Sequence, residues 1–138
     1  MDIKINLPES NLHNLFCNAN YAGLTPLYVA PFQWDKADEY LDANPGAFDL
    51  LEDGFGKNRT QESCILAYLK ADPKHKFVFL CEYDDDEHPL TWEGMLKGMR
   101  LMADKYKWHF SDLMTGDDDA VTADVWLQLS LFGDVLYC

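Results

Sequence analysis

Basic side chains are scarce: 11 lysines and arginines face 24 acids in 138 residues, a formal charge of −13. That shortage sets duplex nucleic acid, or an acidic membrane surface, against a repulsive field. Basic proteins, cations and neutral small molecules remain as partners. No apolar run approaches the ~18 residues of a membrane span. The start, Met1-Asp2-Ile3-Lys4, lacks the charged-then-apolar pattern of a signal peptide, so the cytoplasm is the expected compartment.

Cysteine is also sparse. Cys17, Cys64, Cys81 and Cys138 form no pair with metal-finger or redox-motif spacing. Cys64 and Cys81 fall within apolar patterns and are expected as small buried hydrophobes. A structural disulfide is not expected in a cytoplasmic chain. A phosphate-binding glycine loop is missing too, because Gly54-Phe55-Gly56-Lys57 is too short and follows no clear strand. None of Ser10, Ser63, Ser111 and Ser130 sits in the glycine-flanked turn that exposes a nucleophile. His88 follows Asp84-Asp85-Asp86-Glu87, but consecutive side chains diverge, and neither acidic run has the alternating oxygens of a calcium loop. The reading therefore assigns no catalytic residue, no metal ligand and no cofactor, and expects a protein that is not an enzyme.

What is present is apolar content. Hydrophobic residues make up 48% of the chain and aromatics 14%, enough to rule out intrinsic disorder despite the charge. The length suits one compact domain spanning 1–138. A chain of this mass buries roughly 68% of its extended surface, so a core forms without disulfides or a metal.

Punctuation and periodicity predict the elements. Residues 2–7 read as a short strand, and Pro8 as a first helical residue ahead of Leu12, Leu15 and Phe16. Residues 27–29 read as a strand and 35–43 as a short acidic helix ended by Asn44-Pro45-Gly46. Thr60 is the expected N-cap of a helix to residue 69. Residues 76–83 form the clearest strand, apolar at its centre and so expected inside the sheet or beneath helices. The stretch 84–90 reads as a loop. Thr91 caps a helix whose stripe is Trp92, Met95, Leu96, Met99, Met102 and Tyr106. Gly94 and Gly98 in that helix predict close approach of a neighbour. A further short helix covers 108–114. Residues 121–132 mix period-2 and helical signals; their length favours a nearly all-round apolar helix, with Gly133 as its C-cap. A short strand is expected at 134–137. The sum is an α+β domain of four to six helices around a small sheet containing residues 76–83.

Charge resolved along the chain is uneven. Residues 1–56 carry nine acids and two bases, 57–107 nine of each, and 108–138 six acids and no base. Both ends are anionic. Asp35, Asp38, Glu39 and Asp42, together with Asp117, Asp118 and Asp119, are the candidate surface for a cationic partner. Tyr21, Tyr28, Phe32 and Trp34 precede the acidic helix, and Tyr28 and Trp34 are its candidate aromatic anchors.

Residues 92–137 resemble an uncharacterised family of small acidic proteins of phages, plasmids and integrated elements. The resemblance is carried by MRLMADKY at 99–106, HFSD at 109–112, DDDAVTADV at 117–125 and FGDVLY at 132–137. It implies a mobile genetic element as the setting, where small acidic proteins resemble anti-restriction or anti-CRISPR inhibitors. The expected function is a non-enzymatic inhibitor that mimics nucleic acid towards a basic, nucleic-acid-handling host protein. The alternatives are an immunity protein that neutralises a basic toxin nuclease, and a small-molecule-binding protein or enzyme with an aromatic and acidic pocket.

Overall fold

The computed structural model describes Leu12, Leu15, Phe16, Ala19 and residues 26–51, 60–115 and 120–137. Its elements run β1 (Leu27–Val29), α1 (Gln33–Ala43), a 3-10 helix (Pro45–Leu50), α2 (Gln61–Ala71), β2 (Phe77–Cys81), β3 (Glu87–Leu90), α3 (Trp92–Lys105), α4 (Lys107–Thr115) and α5 (Ala120–Phe132). This is the expected α+β architecture. Leu12, Leu15, Phe16 and Ala19 are helical as well, and the first three are buried in the core. The strand expected at 2–7 lies outside the described residues.

The three strands form one antiparallel sheet in the order β1-β2-β3. β2 is central, as its apolar run requires. The register puts Leu27, Val29, Phe77, Phe79, Cys81, His88 and Leu90 on one face, since partners across a ladder share a face. Phe77, Phe79, Cys81 and Leu90 are buried there. Tyr28, Val78, Leu80, Glu87 and Pro89 point the other way and are half-buried or exposed. β3 replaces the expected loop. Its Pro89 has no N–H to donate, which an edge strand tolerates.

Side-chain caps start the helices where the sequence places them. Thr60 Oγ1 accepts from the Ser63 N–H at 3.1 Å, and Thr91 Oγ1 from the Gly94 N–H at 2.9 Å. α5 is enclosed on nearly every side. Thr122, Ala123, Val125, Trp126, Leu127, Gln128 and Leu129 are all buried. It lies on α3, where Trp126 Nε1 donates to the Met95 carbonyl at 3.2 Å. A Cβ on Gly98 would stand 2.9 Å from Ser130 N and 3.0 Å from Ser130 Cα. Gly98 is therefore the point of closest helix approach. Gly133, at φ +76, ends α5 in the left-handed conformation expected of a glycine cap.

Residues 134–137 form no strand. Instead the amide of buried Gln128 plays a strand's part. Its Oε1 accepts from the N–H groups of Leu136 and Tyr137, each at 2.8 Å, and its Nε2 donates to the Tyr137 carbonyl at 2.8 Å.

Candidate functional site

α1 presents two opposite faces. Gln33, Ala37 and Leu41 are buried, with Trp34 and Tyr40 half-buried beside them. Asp35, Asp38, Glu39 and Asp42 are all exposed, and their spacing of three and four residues aligns them in one stripe. At 100° per residue the centre of that stripe lies about opposite the buried row.

The helix cannot roll to hide the acids. Gln33 Oε1 accepts from the N–H of Val78 on the central strand at 2.9 Å. The Trp34 ring packs edge-on against Phe77, with centroids 5.1 Å apart, and against Phe16 at 6.4 Å. Nearly two turns later the Tyr40 ring meets Tyr68 at 5.5 Å and His75 at 4.5 Å. His75 is itself stacked on Tyr68 at 4.1 Å. Burial first, then the negative potential of Tyr40 and Asp72, pushes the Tyr68 hydroxyl pKa up.

None of the four acids makes a salt bridge with another described residue. They stand as like-charged neighbours, and each such pair costs about 0.2–0.5 kcal/mol on an exposed helix. Asp35 recovers part of this from the dipole at the helix start. The last turn of α1 carries no base to offset Asp42.

Beside the stripe, the aromatic residues separate into two groups. Trp34 belongs to the core, as its ring contacts show. Tyr28 on β1 is 48% exposed and Phe32 is 73% exposed. Phe32 also holds φ 68 and ψ 6, a left-handed conformation that costs a residue with a Cβ about 1–2 kcal/mol. These angles match the third position of a type II turn, with Pro31 at the second. Phe32 thus stands exposed and strained immediately before the acidic helix. Pro31 was the sequence signal for the turn, but it gives no reason to place a large ring where glycine is usual. Tyr21, Asp117, Asp118 and Asp119 lie outside the described residues.

The second acidic run sits on the β2–β3 hairpin, at the far end of β2 from Val78. Asp84 is occupied locally. Its carboxylate meets His88 Nε2 at 3.1 Å and accepts from the Asp86 N–H at 3.0 Å. Partial burial raises the Asp84 pKa, but hydrogen bonds from His88, Asp86 and Cys81 and the His88 charge outweigh it and hold the carboxyl below its usual range. Nearby, Tyr137 Oη lies within hydrogen-bond reach of Cys81 Sγ at 3.5 Å. The hold of the sulfur on the phenol O–H, then burial, pushes the Tyr137 hydroxyl up to about 12. His88 packs edge-on against Phe132, and Phe132 against Tyr137. These groups fasten the C-terminal segment to the hairpin. Cys81 is a free thiol, and among the described residues no group of three or more side chains has the arrangement of a metal site. No helix among them is long and apolar enough to cross a membrane.

Comparison with known proteins finds no matching family model, no matching curated sequence and no matching solved structure. The stripe is therefore read from its own geometry. It is a row of four carboxylates along one face of α1, with an exposed aromatic at its start.

Proposed function

We propose that this protein is a non-enzymatic inhibitor from a mobile genetic element that binds a basic, nucleic-acid-handling host protein through α1. The observation that carries the reading is the axial spacing of the stripe. Four carboxylates span Asp35 to Asp42, which at ~1.5 Å rise per residue is about one charge per 3.5 Å of helix axis. Phosphates along one strand of a DNA duplex are spaced about 3.4 Å along its axis. A groove of lysines and arginines shaped for a phosphate row meets a similar linear charge density on α1. Long-range attraction speeds encounter, and the Phe32 ring, set at the end of the row, slows departure by filling an apolar site on the target. The target is disabled because its nucleic-acid surface is occupied.

The test is a pull-down from host lysate with the wild-type chain and a D35N/D38N/E39Q/D42N variant as parallel baits, at low and high salt. The expected prey is a basic nucleic-acid-binding protein, retained by wild type at low salt and lost in the variant. Identical prey on both baits would remove α1 from the mechanism.

A further inference from the structure

A cleft opens where α3 stops and α4 begins. Tyr106, at φ −128 and ψ 57, breaks the helix axis there. The cleft measures about 520 Å³ and is lined, among the described residues, by Asp104, Lys105, Tyr106, Lys107, Trp108 and His109. Its volume falls within the range of small-molecule sites.

Two features set it apart from the rest of the molecule. The first is charge. The lining holds two bases, Lys105 and Lys107, against the single acid Asp104, in a chain whose total is −13. The second is Trp108, which is 76% exposed, although a tryptophan ring gains more than most side chains from burial. Beside it, the His109 ring contacts Thr122 Oγ1 on α5 at 3.2 Å, which ties this turn of α4 to α5.

We propose that this cleft binds a small aromatic anion of the kind a nucleoside phosphate presents. The flat ring of the ligand stacks on Trp108. Lys105 and Lys107 meet its phosphates as mobile point charges. Asp104 repels the phosphates from its own side and accepts from a sugar hydroxyl or a base amino group, which fixes the direction of entry. The site is independent of the acidic stripe, since α4 packs on α3 and α5 whereas α1 packs on α2 and the 3-10 helix.

The test is calorimetric titration of the full chain with ATP, with adenosine and tripolyphosphate as the two half-ligands. Saturable ATP binding that weakens with salt is expected, with each half-ligand at least about tenfold weaker. W108A and K105E/K107E should each lose about tenfold or more in ATP affinity, and an unchanged circular dichroism spectrum shows that each variant is folded. Absence of saturable binding at millimolar ATP overturns the proposal. So does tripolyphosphate binding as tightly as ATP, which is mere counter-ion attraction, or ATP binding left untouched by either variant.

Discussion

At the scale of single residues, Gly98 and Phe32 make opposite predictions. A Cβ on Gly98 meets main-chain atoms of Ser130, which cannot swing aside as a side chain can. Helix propensity favours alanine over glycine by about 1 kcal/mol. Overpacking of this kind costs about 1–3 kcal/mol. G98A should therefore be destabilised by up to about 2 kcal/mol in urea unfolding, and S130A, which removes the Ser130 Oγ contact, should rescue it only in part, because the main-chain contact remains. Phe32 runs the other way. F32G removes a mostly exposed ring and a left-handed strain of about 1–2 kcal/mol, offset by glycine's greater unfolded freedom of about 0.5–1 kcal/mol. The variant should be as stable as wild type or up to about 1 kcal/mol more stable; a clear loss would show that the ring holds the fold. Asp124 adds a pH effect. Burial raises its carboxyl pKa, and the hydrogen bond from Gln128 lowers it less. An acid whose folded pKa lies above its unfolded one holds its proton more tightly when folded. Its contribution is greatest below the unfolded pKa and is lost as pH rises through the folded pKa. D124N should thus raise Tm at neutral pH and give no gain at pH values where Asp124 is already protonated. Of these three residues, only Gly98 was legible in the sequence. A glycine pair one turn apart signals close approach, whereas a strained phenylalanine contradicts the usual rule that glycine fills such a turn.

At the scale of elements, Gln128 makes the sharpest prediction. It is fully buried, and its amide supplies three hydrogen bonds to residues 136 and 137. Q128A leaves those main-chain groups without partners, at about 1–3 kcal/mol in a buried setting. Amide exchange at Leu136 and Tyr137 should accelerate while α3 and α5 stay protected; unchanged exchange would mean that the aromatic contacts of Tyr137 suffice. The expected terminal strand was wrong for a related reason. A glutamine side chain offers the same donor and acceptor as a neighbouring strand, and nothing in the sequence marks residue 128 as that partner. β3 escaped the sequence reading because only His88 and Leu90 of its four residues face inward, and Pro89 interrupts the pattern. The elements that were legible carry their own local signals: Thr60 and Thr91 as caps, the apolar run of β2, and the length of the apolar stretch that became α5. For α5, length outweighed the period-2 alternation because a helix enclosed on nearly every side has no polar face to show its period.

At the scale of the whole molecule, the question is whether the anionic stripe has a use beyond solubility, and stability together with association rate answers it. Four carboxylates on one face of α1 make four like-charged neighbour pairs at three- and four-residue spacing, against which only Lys36 stands on the same helix. Removing them relieves about 1–2 kcal/mol at low salt. D35N/D38N/E39Q/D42N should therefore be more stable than wild type, with the difference shrinking as salt screens the pairs. Denaturant melts at two ionic strengths check this. A surface that served only to keep the chain soluble gains nothing from concentrating its charge in one fixed row, because scattered acids do the same with less repulsion. A binding surface does gain, because a partner's field acts on the row as a unit. The two readings then separate in one set of measurements on the same variant. If the stripe binds the partner, the variant gains stability and loses association rate, most steeply at low salt. If the stripe only solubilises, the variant gains stability and keeps its association rate.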